Sequence, residues 1–425
     1  MSNAVLKLLT SQRRCRGPHI HERRSPGAET PGTRPPRRVS LCAAPAGGGP
    51  LRAASTGTDP QDASTLGSFT GGQLRRLGSV AGLSRADVET YAQVLTDALG
   101  PVAQRPLSLA PPTRTFLSDD HTPVEFSLSF RPGAAPAMRV LVEPGCGATS
   151  LADNGRAGLE AVRTMARRWH FTTDALDELL DLFLPPAPQG PLALWCALEL
   201  RPGGVPGVKV YLNPAVGGEE RSAATVREAL RRLGHHQAFD SLPQGSGYPF
   251  LALDLGNWTE PRAKVYLRHD NLTAGRAARL SRTDSGLVPT AVEGFFRTAA
   301  GPGSDASGLD GRPAQSCHSF TDPGAERPSG FTLYIPVRDY VRHDGEALAR
   351  ASTVLHHHGM DASVLHRALA ALTERRPEDG VGLIAYLALA GQRDQPPRVT
   401  AYLSSEAYTV RPPVVETVRQ PLSVG

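Results

Sequence analysis

PRAKVYLRHD, residues 261–270, reads as a β-strand with two chemically different faces. Side chains alternate along a strand, so Arg262, Lys264, Tyr266 and Arg268 share one side and Ala263, Val265 and Leu267 the other. The same shape returns as GVKVYLNP (207–214), GFTLYIPV (330–337) and RVTAYLSS (398–405), with tyrosines at 211, 266, 334 and 402. A fifth copy, AMRVLVEP (137–144), keeps a cation at Arg139 and has Leu141 in place of the tyrosine. Spacings of 70, 55, 68 and 68 residues signal a repeated supersecondary unit.

Each copy follows a second strand-like run, at 124–132, 193–203, 250–258, 316–324 and 381–391. Turns such as RPGGVPG (201–207) close the two runs into a hairpin. Helical segments lie between hairpins: 84–99 behind an N-capping Ser84, 156–169, 222–234 ending at a glycine, and 346–359 ending at another. The unit is helix, strand, strand, helix, repeated five times. This predicts an α+β protein whose ten antiparallel strands close into an αββα barrel ringed by helices, with no edge left open. Phe126, Leu128 and Phe130 would face the helices, while Glu125, Ser127, Ser129 and Arg131 would face the lumen. A polar lumen in a barrel of this size is a ligand chamber.

The net charge of +5 does not mark a nucleic-acid binder. Residues 1–58 hold one Lys and nine Arg against Glu22 and Glu29, leaving 36 basic against 39 acidic residues in the rest. Residues 1–65 are rich in Arg, Pro and Gly without apolar periodicity and are expected to be a disordered extension; residues 66–425 are expected to form the single barrel domain. No signal-peptide core and no long apolar run occurs, so neither a membrane nor nucleic acid is expected as a partner. The five cysteines show no CxxC spacing, which fits a reduced, cytoplasmic setting.

Arg139, Lys209, Arg262 and Lys264 converge on one lumen, and clustered cations of this kind suit a polyphosphate. Tyr211, Tyr266, Tyr334 and Tyr402 would supply hydroxyl donors and aromatic faces able to lie over a cation. An allylic diphosphate, which sheds diphosphate and leaves a carbocation, uses both. Glu125 is the acid of this lumen. It either accepts an N–H bond from an aromatic nucleophile and stabilises the positive ring that forms, or pairs with Arg139 or Arg131.

Over residues 78–410, through TPVEFSLSF, MRVLVEP, VKVYLNP, RAKVYLRH, FTLYIPV and VTAYLSS, the chain resembles the dimethylallyltryptophan synthase family of aromatic prenyltransferases. The resemblance implies an enzyme that moves a dimethylallyl group from dimethylallyl diphosphate to a benzene-ring carbon (C5, C6 or C7) of L-tryptophan or a related indole. It needs no cofactor and no metal, serves secondary metabolism, and acts as a monomer or homodimer. It places the catalytic indole N–H acceptor on Glu125 and diphosphate ligands on Arg139, Lys209, Arg262 and Lys264. The tyrosine shield and further diphosphate contacts fall on Tyr211, Tyr266, Tyr334 and Tyr402. Two positions depart from the fungal pattern: Thr332 stands two residues before the third shield tyrosine, and LALWCALEL carries no lysine, leaving the proton acceptor open. Other readings are prenylation of a tyrosine, a cyclic dipeptide or a phenolic compound, and a barrel that binds ligands without catalysis. The acidic run DALDELLD (174–181) reads as an amphipathic surface helix rather than a metal site, and His356, His357 and His358 point in different directions on a helix.

Overall fold

The computed structural model of the chain describes residues 64–256, 258–259, 261–281, 287–302, 304 and 308–414. The extension expected over residues 1–65 therefore lies, apart from Ser64 and Thr65, outside the described residues.

The alternating runs form ten strands: β1 (Val124–Phe130), β2 (Ala137–Val142), β3 (Leu194–Leu200), β4 (Gly207–Leu212), β5 (Leu251–Leu255), β6 (Ala263–His269), β7 (Ala314–Phe320), β8 (Gly330–Ile335), β9 (Ile384–Gln392) and β10 (Gln395–Ser404). Every neighbour is antiparallel, and β1 pairs with β10, with Ser127 opposite Tyr402, so the sheet closes into a barrel as the repeat predicts. Val124, Phe126, Leu128 and Phe130 are buried on the outward face, as are Val208, Val210 and Leu212 of β4. They join the main apolar core with the surrounding helices. Packing on the outside leaves the lumen free for polar groups.

Ser84 caps the helix Arg85–Leu99 by accepting the Asp87 N–H, as expected. The helix foreseen from 156 starts at Leu151, because Ser150 is the residue that caps it. Those near 222–234 and 346–359 run over Ser222–Arg232 and Asp344–His357. The periodicity missed Leu66–Val80, Pro289–Ala300 and Ser363–Leu372. In LGSFTGGQLRRLGSV, glycines weaken the helical signal, yet close packing requires two of them. A Cβ on Gly67 would meet Ala103 at 2.9 Å, and one on Gly78 would overlap Val88. The run 174–181 forms two short turns, Asp174–Asp177 and Leu180–Phe183, rather than one helix. Leu176, Leu179 and Phe183 are buried there, while Asp177 and Asp181 face out and pair with Arg163 and Arg232.

Thr65 closes a reciprocal capping box with Ser68, and the Leu66 N–H donates to the Arg105 carbonyl. On these contacts we propose that the barrel domain begins at residue 64. A chain beginning at residue 63 is expected to stay soluble and melt within a few degrees of the full chain by calorimetry. Loss of soluble protein would show that the preceding residues contribute to the core.

Candidate active site

Strand register stacks the lumen residues in three layers. At one end, the Arg262 Nε sits 2.7 Å from Asp254 Oδ2, and Lys264 and Lys209 Nζ sit 3.1 and 3.5 Å from Asp254 Oδ1. Arg139 bonds Glu199 at 2.6 Å and donates to Ser129 Oγ at 2.9 Å. All four predicted cations thus share the lumen, and each is paired with an acid that the strand reading overlooked. Burial would raise the Asp254 carboxyl, but Lys264, Lys209 and Arg262 outweigh it and hold it below the ordinary carboxylate range. Burial also presses Lys264 well below the usual lysine range and lowers Lys209, with Asp254 opposing in both cases. Arg398 is a fifth lumen cation, pushed down to about 10 by burial and by its neighbours Arg139 and Arg262. Trp258 lies over the group, its ring centroid 5.5 to 5.9 Å from Arg262, Lys209 and Lys264, and its indole N–H bonds the Val208 carbonyl.

Next comes a chain of tyrosines from alternate strands. Tyr211–Tyr266, Tyr266–Tyr334 and Tyr334–Tyr402 centroids are each 5.8 Å apart, and Tyr386 of β9 meets Tyr402 edge-on at 6.5 Å. Burial raises the four predicted phenols above the usual range, so they stay neutral hydrogen-bond donors.

The third layer is an aromatic chamber lined by Phe116, Leu117, Trp195, Phe250, Tyr386 and Glu125. It shares Glu125, Leu141 and the four tyrosines with the cation-lined cavity. Glu125 is 7% exposed, and burial pushes its carboxyl up to about 8, against the pull of Arg338 and Arg312. The Arg131 and Arg139 pairing considered for it does not form. Arg139 is engaged by Glu199, Arg131 donates to Gln395, and no hydrogen bond or ion pair joins Glu125 to another described side chain.

Parity could have found two of the overlooked acids. In β5, Ala252 and Asp254 oppose Leu251, Leu253 and Leu255; in β3, Trp195, Ala197 and Glu199 oppose Leu194, Cys196, Leu198 and Leu200. Arg312, Arg338 and Asp119 stand outside the strands, where alternation carries no information. Cys317 faces the lumen beside Tyr266, while Cys146 and Cys196 are buried elsewhere; all three are free thiols. Among the described residues, no cluster of His, Cys, Asp or Glu could hold a metal, and no helix is long and apolar enough to cross a membrane.

A closed ten-stranded barrel with cations at one end, an aromatic chamber with one acid at the other, and tyrosines between them has the architecture of an aromatic prenyltransferase. Residues 83–367 match the sequence model of the tryptophan dimethylallyltransferase family, and the chain belongs to that family. Solved structures agree. A 5-dimethylallyl tryptophan synthase from Streptomyces coelicolor, in complex with DMASPP and Trp, is 98% identical; the match covers 84% of this chain and all of that one, with a TM-score of 0.81. The prenyltransferase PriB, in a ternary complex with L-tryptophan and dimethylallyl thiolodiphosphate, is 63% identical over 83% of this chain and 99% of its own, also at 0.81. A 6-dimethylallyltryptophan synthase from Micromonospora olivasterospora is 39% identical over 82% and 99%, at 0.76.

Proposed function

We propose that the protein transfers the dimethylallyl group of dimethylallyl diphosphate to C5 of the indole ring of L-tryptophan. The observation that carries this reading is the tyrosine layer shared by the two cavities, which sets an anion site and an aromatic site against one shared space. The choice of C5 follows the 98% identical synthase.

The diphosphate takes the cationic end, held by Arg139, Lys209, Arg262 and Lys264, with Arg398 added by its position. With the lysines protonated, these five cations exceed Asp254 and Glu199 by three charges, which suits an ionised allylic diphosphate. The allylic C–O bond breaks with its electron pair on the leaving oxygen, where charge grows and the cationic contacts strengthen. Tyr211, Tyr266, Tyr334 and Tyr402 face the allylic cation with their rings and exclude water from it. Glu125 accepts the indole N–H bond and offsets the positive charge that C5 attack spreads into the ring. The C5 proton then passes to the released diphosphate or to solvent, which restores aromaticity.

Incubation with L-tryptophan and dimethylallyl diphosphate, with NMR of the product, tests the reading: substitution at C5 is expected, and a product alkylated at another carbon or no product would refute it. Because protein cations neutralise the leaving group, turnover in EDTA is expected to stay within about threefold of that with added Mg²⁺. A complete, Mg²⁺-reversible loss would transfer that role to a metal.

A further inference from the structure

The cations of the lumen do not stop at the inner cluster. Beyond it, at the hairpin end of the barrel, lies an open cavity bordered by Arg131, Ala134 and Ala135 after β1, Arg201 after β3 and Trp258 after β5. Arg131, Arg139, Arg262, Gln392, Gln395 and Arg398 line this cavity and the inner one alike, so the two are contiguous. Side-chain exposure rises on the way out, from 7% for Lys264 through 17% for Arg139 to 31% for Arg201, and Arg131 is exposed. Glu199 joins two of these steps: its Oε2 takes Arg139 at 2.6 Å, and its Oε1 takes Arg201 at 3.2 Å. The Arg201 guanidinium sits over the Trp258 ring, 4.7 Å from its centroid. A Cβ on Gly207 would meet both side chains at 2.7 Å, so only a glycine leaves them room. Five arginines line the outer cavity against one lining acid, Glu199.

An anion leaving the inner cluster has two directions. Through the aromatic chamber it would pass the tyrosine faces, whose π-electrons repel negative charge, and a space filled by the alkylated ring. Through the outer cavity each step meets a cation more exposed than the last, so water takes over the anion's charge by degrees. We propose that the outer cavity is the diphosphate passage, a transient anion site centred on Arg201 and Arg131. Dimethylallyl diphosphate enters through it and inorganic diphosphate leaves through it, while the acceptor uses the other end of the barrel. This assignment rests on the reading of the inner cation cluster as the diphosphate site.

The test measures association and dissociation rates of radiolabelled inorganic diphosphate by rapid filtration in the wild type, Arg201→Gln, Ala135→Glu and Ala135→Trp. The kcat/KM for tryptophan, at saturating donor, is measured alongside. Ala135 is exposed in the turn between β1 and β2 and lines neither the inner cavity nor the chamber, so its variants should fold. Removing the outer cation, or adding an anion at the mouth, is expected to slow association about 10-fold at low ionic strength, an effect that fades as salt shortens the range of the field. Ala135→Trp narrows the passage and should slow arrival and departure by the same factor, leaving Kd unchanged; a residue of the binding site would shift Kd instead. The kcat/KM for tryptophan should hold in all three variants. Wild-type diphosphate rates in both Ala135 variants would overturn the passage. So would an equal fall in kcat/KM for tryptophan, which would mean one mouth shared by both substrates. If Arg201→Gln does not fold, the two Ala135 variants decide alone. A wild type that fails to bind diphosphate at all would instead overturn the proposed function.

Discussion

Glu125→Gln is expected to lower turnover of tryptophan by about 10²- to 10⁴-fold while leaving affinity for dimethylallyl diphosphate nearly unchanged. Glutamine keeps the shape and an oxygen able to accept the indole N–H bond, so the acceptor still enters the chamber. What is lost is the negative charge, whose effect is largest when the attacked ring is positive. pH provides a second readout. Burial holds the Glu125 carboxyl protonated up to about 8, so in the free enzyme the charged form builds up only as pH rises through that value. The kcat/KM for tryptophan should therefore climb with pH toward a plateau above about 8 in the wild type, and this limb should vanish in Glu125→Gln. The acceptor's own ammonium titrates identically with both enzymes and cancels in the comparison. Stability moves the opposite way. Folding raises this pKa, so the folded chain holds a proton that the unfolded chain releases between the ordinary carboxylate range and about 8, and the wild type loses stability across that window. Glu125→Gln should lack the loss, giving a flatter melting temperature against pH. Unchanged turnover would leave Glu125 without a role in the reaction.

Lys264→Met should lower kcat/KM for dimethylallyl diphosphate by about 10²- to 10³-fold, the usual effect of removing one donor from a site where charge develops. Both kcat and affinity should fall, since the ammonium meets the bound diphosphate and gains more as the C–O bond breaks. The variant also takes one of three cations from a side chain, Asp254, that is wholly inaccessible to solvent. Removing one partner of a buried pair destabilises strongly, whereas removing both is often tolerated. Asp254→Asn combined with Lys264→Met should thus recover most of the melting temperature but not the turnover. Calorimetry and initial rates on the single and double variants separate the two effects; recovery of turnover in the double variant would make Lys264 a structural partner of Asp254 alone.

Much of this site was legible because a barrel obeys one simple rule. Two-residue alternation, applied to AKVYLRH and its copies, placed Lys264 and Tyr266 in the lumen, and the repeat supplied their counterparts on other strands. Glu199 and Asp254 obey the same rule but lie on the strands before the Tyr-bearing copies, where the cation–x–Tyr pattern that marks the face is missing. Pairing between Lys209 and Asp254 depends on β4 lying beside β5, a register that only the folded sheet sets. Arg338 and Arg312 were beyond reach for a different reason. They sit in connections, where direction is fixed by tertiary contacts such as the Arg411 bond to the Arg338 carbonyl and not by any period. The helix Leu66–Val80 was hidden by glycines that lower helix propensity and are needed for close contact with Ala103 and Val88.

The separation of outward and inward faces also governs how such an enzyme can be diversified. Helix packing rests on Leu128, Leu198, Val210, Val265 and Leu333, none of which bounds the space where the chemistry occurs. Inward positions such as Leu141, Ala197, Thr332 and Ala390 bound that space while bearing little of the packing. Inheritance can therefore rewrite the inner wall one residue at a time, trading one acceptor or ring carbon for another, and each trial leaves foldability almost untouched. A combinatorial library confined to those four positions would explore new chemistries with few unfolded members, while the same degree of randomisation on the outer face would yield mostly aggregates.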